Sequence, residues 1–248
     1  MARDHKPSRR RARVAAVVCA AVLTVGGTAL AQLPAQAAAR PKGHDVSSHQ
    51  KNVDWQKAKS RGARFVYVKA TESTTYKNPY FAQQYRGARS AGIVRGAYHF
   101  ARPDKASGAA QAAYFVRNGG GWRADGWTLP PALDIEYNPY SARHKCYGMS
   151  RTALVGWIRA FSDEVRRRTG RRPVLYTTYH WWKTCTGNSG AFAGDHALWI
   201  ARYDASAGAL PKGWGYWTFW QYDNGGGLPG DQNLFNGSTA QLKRFARG

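Results

Sequence analysis

The sequence predicts an α/β fold: an irregular (β/α) barrel of about eight strands, TIM-barrel-like, in a single domain. Two observations carry this expectation. From residue 42 onward, short β-rich runs alternate with helical or loop stretches, the order that implies a mostly parallel sheet. In addition, Asp45, Glu72, His99, Glu136, Tyr179, Tyr203, Tyr222 and Asp231 fall at or just past the C-terminal ends of the predicted strands. In a (β/α) barrel that end is the active face. The chain has 248 residues, 43% of them hydrophobic, which is enough to bury a sizeable core in one domain.

Gly43 to Ser47 is a short first strand, and Val53 to Arg61 a helix with Trp55 and Ala58 on one side. Arg64 to Ala70 (RFVYVKA) is a strand by β-propensity. Asn78 to Ser90 is a helix with Phe81, Tyr85 and Ala88 at helical spacing, Pro79 near its start and Gly92 beyond its end. Ile93 to Phe100 is the third strand. An Ala-rich helix from Asp104 to Asn118 stops at Gly119-Gly120-Gly121. Leu129 to Tyr137 (LPPALDIEY) is the fourth strand, running into the turn signal Tyr137-Asn138-Pro139.

Ser150 to Thr169 is the most periodic helix. Ser150 caps it, Gly170 ends it, and Leu154, Trp157, Ile158, Phe161 and Val165 form its apolar face. Pro173 to Thr178, Ala197 to Tyr203, Tyr216 to Tyr222 and Asp231 to Leu234 are strands five to eight. Residues 204–214 are rich in Gly, Ala and Pro, so no regular helix is expected there and the barrel is irregular.

The first 39 residues read as a secretory signal peptide, with residues 40–248 as the folded domain. Arg9, Arg10, Arg11 and Arg13 form a basic region, an apolar stretch from Val14 to Leu30 follows, and Ala35-Gln36-Ala37 and Ala37-Ala38-Ala39 offer small-residue cleavage sites. That stretch is short for a membrane span and is broken by Gly26, Gly27 and Pro34, so no span is expected in the mature chain, which is expected to be secreted and monomeric.

Cys146 and Cys185 are left in the mature chain. In an exported protein the simplest reading is one disulfide, with two free thiols as the alternative. The formal charge of +23 falls to about +18 once the leader's six basic residues and one acid are removed. Such a charge favours anionic polymers. No nucleic-acid motif is present and the basic residues are scattered along the chain, so an anionic cell wall is favoured over nucleic acid.

Asp134 and Glu136 stand two residues apart. On a strand they share a face, with Cβ atoms about 6.6 Å apart. Two buried neighbouring carboxyls raise at least one pKa, as a sugar-cleaving enzyme needs: one protonated acid, and one group to handle positive charge at the sugar ring. A structural pair capping the strand or bonded to Arg is the alternative. Ten Trp and 14 Tyr would suit sugar stacking, although the core must absorb most of them.

Joint motifs resemble family 25 of the glycoside hydrolases, the secreted N-acetylmuramidase type of lysozyme. They are Gly43-His44-Asp45-Val46-Ser47-Ser48-His49-Gln50, Asp54-Trp55, Phe65 to Glu72 (FVYVKATE), Gly96-Ala97-Tyr98-His99-Phe100, Leu133-Asp134-Ile135-Glu136, Leu198-Trp199-Ile200-Ala201, Trp220-Gln221-Tyr222 and Asp231-Gln232-Asn233-Leu234-Phe235. Their order and spacing cover about residues 43 to 235. His44, Ser73 and Gln232 depart from the usual family residues without removing a carboxylate.

The resemblance implies cleavage of the β-1,4 bond between N-acetylmuramic acid and N-acetylglucosamine in peptidoglycan, with no metal or organic cofactor. It maps the acidic cluster onto Asp45, Asp134, Glu136 and Asp231, and it agrees with a Cys146–Cys185 bridge. Glu136 is the expected general acid. Asp134 is either a direct nucleophile or orients the substrate's acetamido group, and inversion and substrate-assisted retention both stay open. Asp45 and Asp231 are expected to tune pKa values and bind sugar hydroxyls. Tyr98, Phe100, Tyr137, Tyr176, Trp199 and Tyr203 are candidate sugar platforms, and Glu72 lines the cleft or pairs with Arg. His99 is expected to be a satisfied barrel histidine. A chitinase-like hydrolase and a non-catalytic wall-binding protein are the competing readings.

Overall fold

The computed structural model describes residues 39–248; the leader expected over residues 1–39 lies, apart from Ala39, outside them. Nine strands form one sheet: β1 (Lys42–Val46), β2 (Phe65–Glu72), β3 (Tyr76–Lys77), β4 (Val94–Phe100), β5 (Ala132–Asp134), β6 (Val174–Thr178), β7 (Leu198–Ala201), β8 (Phe219–Asp223) and β9 (Asp231–Phe235). Pairing runs β1-β9-β8-β7-β6-β5-β4-β2, and β2 pairs back to β1, so eight strands close a barrel. The two-residue β3 hangs on β2 as a hairpin. Helices α1 (Trp55–Ser60), α2 (Phe81–Ser90), α3 (Gly108–Arg117), α4 (Arg151–Thr169), α5 (Tyr179–Thr186) and α6 (Thr239–Arg247) complete the fold. No helix among the described residues is long and apolar enough to cross a membrane.

Period-two alternation builds the layers. In β2, Phe65 and Tyr67 point into the barrel, whereas Val66 and Val68 pack outward with Trp55, Ala58 and Ala88 of α1 and α2. In β5 and β6, Ala132, Val174 and Tyr176 belong to the inner cluster, and Leu133 and Leu175 pack outward with residues of α3, α4 and α5. The interior is aromatic: Tyr67 stacks on Trp199 at 4.8 Å between ring centroids, and Phe219 meets Tyr67 edge-on. Most of the aromatic surplus is therefore core.

The helices begin where a side chain satisfies the free N–H groups of the first turn. Ser107, Ser150, Thr178 and Ser238 each accept from a backbone N–H at the start of α3, α4, α5 and α6. Gly170 ends α4 in the left-handed region at φ 78°, as a glycine after a helix allows.

The structure corrects two sequence expectations and adds two helices. The fourth strand stops at Asp134, because Pro130 and Pro131 remove donors before it and the chain turns after Tyr137; one further ladder bond, Ile135 N–H to the Tyr176 carbonyl, carries on. The segment after the fifth strand winds into α5. The C-terminal helix α6 was not anticipated, although Ser238 and Gln241 spell its capping box. Finally, β9 runs antiparallel to both β1 and β8, so Asp231 stands at the N-terminal end of its strand and not at a C-terminal end. Reversal places the start of β9 at the same mouth as the C-terminal ends of the other strands. Between β7 and β8 no helix forms among the described residues, as the Gly-rich sequence implies.

A disulfide joins Cys146 to Cys185 in α5, across a sequence separation of 39. Breaking it with Cys146→Ser frees the unfolded chain and should lower stability by about 2–4 kcal/mol. The expected result is a melting temperature lower by roughly 5–10 °C under oxidising conditions, with activity kept in the cold. Equal melting of both proteins would count against a stabilising bridge.

Candidate active site

Inward-facing positions at the upper end of each strand form the site. Asp45 faces inward two residues after Gly43, Lys69 two after Tyr67, Asp134 two after Ala132, Gln221 two after Phe219, and Asp231 two before Asn233. Together they line a cavity of about 240 Å³, whose lining includes all four predicted carboxylates. Tyr98, Phe100, Tyr176 and Trp199 also line it, and Ser47, His49 and Gln50 border it from the turn after β1.

The seam between the first and last barrel strands pairs Asp45 directly with Asp231. Gly230 permits this. Its φ is +78°, and a Cβ there would lie 2.0 Å from the Asp45 carbonyl oxygen. Asp45 Oδ2 accepts from Gln221 Nε2 at 2.9 Å and from Asn233 Nδ2 at 2.7 Å. Gln221 Nε2 also donates to Asp231 Oδ2 at 3.2 Å. On its other side Gln221 Oε1 accepts from the hydroxyls of Tyr176 and Tyr203, and Asn233 Oδ1 accepts from Trp199 Nε1. These two amides bind the acids to the aromatic floor. Sequence reasoning did not single them out, although the strand period points Gln221 and Asn233 inward.

The electrostatics suit proton transfer. Burial, then the charge of Asp231, pushes the Asp45 carboxyl up to about 7. Burial likewise raises Asp231, and it raises Asp134 well above the usual carboxylate range, with the Glu136 charge adding to the effect. Asp134 Oδ1 is buried with no donor aimed at it. Glu136 is also raised by burial, and the neighbouring Asp134 moderates the rise. Two neighbouring buried carboxyls of this kind titrate as a pair. The sequence leads one to expect that burial beside a like charge raises at least one of the two; burial is the largest cause for both. Lys69, whose Nζ lies 4.7 Å from the Phe100 ring centroid, opposes the rise in both acids.

Three predicted site residues do not line the cavity. Glu72 is committed to Lys69 at 2.7 Å and to the Tyr140 hydroxyl at 2.7 Å, with Arg102 at 3.7 Å. Burial pushes its carboxyl up, but these partners outweigh it and hold the group below its usual range. Glu72 thus takes the ion-paired alternative and braces Lys69. Tyr137 packs against the outer core because β5 ends before it, and its hydroxyl reaches Thr184. Tyr203 stands on the rim, half exposed, touching the site only through Gln221.

His99 is satisfied by Thr71 Oγ1 at 2.8 Å and Gln111 Oε1 at 2.9 Å, fully buried, with burial lowering its pKa to about 4. A second hydrogen-bonded row joins Ser162 Oγ to His196 Nε2 at 2.6 Å and His196 Nδ1 to Asp195. It resembles a nucleophile triad in order only: Ser162 is fully buried in mid-helix, and Arg172 also donates to its hydroxyl. The row fastens α4 to the loop before β7.

The sequence of residues 44–231 matches the family described as glycosyl hydrolases family 25. The chain belongs to that family. This family 25 chain is 48% identical to "Lysozyme M1" of Streptomyces globisporus, over 83% of this chain and 71% of that protein. It is 46% identical to an "N,O-diacetylmuramidase" of Arthroderma benhamiae, over 92% of this chain and 98% of the relative. Among solved structures, a muramidase from Acremonium alcalophilum superposes with a TM-score of 0.82 at 54% identity, covering 84% of this chain and 100% of that one. The protein is a glycoside hydrolase, and its barrel is the fold of its structural relatives.

Proposed function

We propose that this family 25 hydrolase is a secreted muramidase, with Glu136 as general acid and base and Asp134 as its partner at the sugar ring. The observation that carries the assignment is the placing of two buried carboxyls, Asp134 and Glu136, both raised by burial, in the cavity lined by Tyr98, Phe100, Tyr176 and Trp199. Glu136 protonates the leaving oxygen. Asp134 then orients the 2-acetamido oxygen for attack on the anomeric carbon, or attacks that carbon itself. In the first route, the Asp134 carboxylate stabilises the positive charge on the acetamido group, and Glu136, ionised once its proton has gone to the leaving oxygen, takes a proton from the attacking water. Asp45 and Asp231, fixed by Gln221 and Asn233, add negative potential beneath the developing oxocarbenium charge.

The names of the relatives support a peptidoglycan substrate and one acetylated at oxygen as well as nitrogen. The leader over residues 1–39 supports delivery outside the cell. Digestion of purified peptidoglycan, O-acetylated and de-O-acetylated, tests the reading. Muramic-acid reducing ends from both substrates are expected. Glucosamine ends alone, or cleavage of chitin in preference, would overturn it. Retention of the anomeric configuration in the first-formed product excludes single-step inversion.

A further inference from the structure

The basic residues look scattered in sequence, but the fold gathers many of them at the barrel mouth opposite the active site. A groove of about 680 Å³ opens there between α2 and the segment that joins α3 to β5. Arg86 and Arg89 line it from α2, Arg95 from the start of β4, and Arg123 from the joining segment. Lys243 and Arg247 of α6 stand at its edge, with Arg89 and Lys243 both over the Trp127 ring. Among the described residues, Arg86, Arg89, Arg123, Lys243 and Arg247 have no carboxylate within ion-pair distance.

The one acid lining the groove, Asp125, is already occupied. It accepts from the backbone of Trp127 and Thr128 and from the Thr128 hydroxyl, and lies 4.0 Å from Arg95. The cations are also held in place. Arg89 lies 4.3 Å from the Trp127 ring centroid and Arg95 4.8 Å from that of Tyr85. Two buried donors of groove residues, Arg95 Nε and Trp122 Nε1, have no acceptor. Uncompensated, pre-positioned cations beside unpaired donors suit a ligand rich in anionic oxygens. Crowding of like charge has a second trace: burial, then Arg89, Lys59 and Arg247, lowers the pKa of Lys243.

We propose that this groove is a second binding site, for a phosphodiester-linked anionic polymer of the cell wall. A phosphodiester chain offers repeated single charges that successive arginines can take in turn, and binding releases its counterions. Such a contact would hold the enzyme on the wall while leaving the sugar cavity, at the other mouth, free to turn over. The choice of a wall polymer over nucleic acid rests on the proposed muramidase function; the preference for polyanions does not.

Titration with soluble poly(glycerol phosphate) at about 0.15 M salt tests the site. The parent is expected to bind, with affinity falling steeply as salt rises. Arg86→Glu/Arg89→Glu/Arg123→Glu should weaken binding at least about tenfold, and Lys145→Glu/Lys183→Glu/Lys212→Glu, with the same net charge but located elsewhere, less than about threefold. All six side chains are exposed. The milder Arg86→Gln/Arg123→Gln, which leaves the Trp127 contacts intact, should still weaken binding at least about threefold. Equal loss in the two triple variants, no loss in the double, or no binding by the parent overturns the site. Tighter binding of duplex DNA than of the polymer, lost with the same arginines, overturns the choice of ligand. Glu136→Gln is expected to bind the polymer as the parent does. Hydrolysis surviving in that variant would count against the catalytic assignment alone and leave the groove's result standing.

Discussion

Glu136→Gln is expected to leave a folded barrel that cleaves peptidoglycan at least about 10²-fold more slowly, and as much as about 10⁴-fold. The amide keeps the shape of the carboxylic acid, but it has no proton to give the leaving oxygen. Folding should not suffer. Burial raises the Glu136 carboxyl, so its ionised form is a burden on the native state that the amide removes. Rate and melting temperature measured on the same preparation separate the two effects. A variant that keeps activity within about threefold of the parent would remove Glu136 from the role of acid.

Asp45→Asn should make the protein more heat-resistant at neutral and alkaline pH, and not in acid. The Asp45 carboxyl is pushed up to about 7 in the folded state, from an ordinary value near 3.8. The native state thus binds this proton more tightly than the unfolded chain does. That stabilisation is complete below about pH 4 and is lost as pH rises through about 7. Above that, holding the charge at the seam costs about 4 kcal/mol relative to acid conditions. Asparagine carries no such charge, and its oxygen can still accept from Gln221 and Asn233. A melting temperature at least about 5 °C above the parent at about pH 8, with no gain at about pH 4, is expected. A uniform shift at both pH values would instead point to a packing change.

The acids were legible because the strand period and the short hydrophobic runs place them without knowledge of their partners. Asp45, Asp134 and Asp231 each sit at the mouth end of a strand, and each lines the cavity. The same parity also points Lys69, Gln221 and Asn233 inward, but an amide or a lysine on a strand carries no chemical flag comparable to paired carboxylates. Strand direction was not legible. Asp231 to Phe235 reads the same way in either sense, and only pairing with β1 and β8 reverses it. Tyr137 was misplaced because two prolines and a turn leave β5 three residues long. The arginine groove was invisible in the sequence because its cations come from three separate segments and α6.

The antiparallel seam also sets the order of events as the molecule matures. Asn233 reaches Asp45 across 188 residues, so these hydrogen bonds depend on one of the longest loop closures in the chain. A chain emerging from N- to C-terminus can collect β1 through β8 while Asp45 still lacks both Asn233 and its pairing with Asp231. Until the final strand threads between its neighbours, the acids remain unassembled. A nascent or truncated polypeptide ending before residue 231 therefore lacks the four-carboxylate cavity, and with it the proposed cutting site, until the last stage of folding.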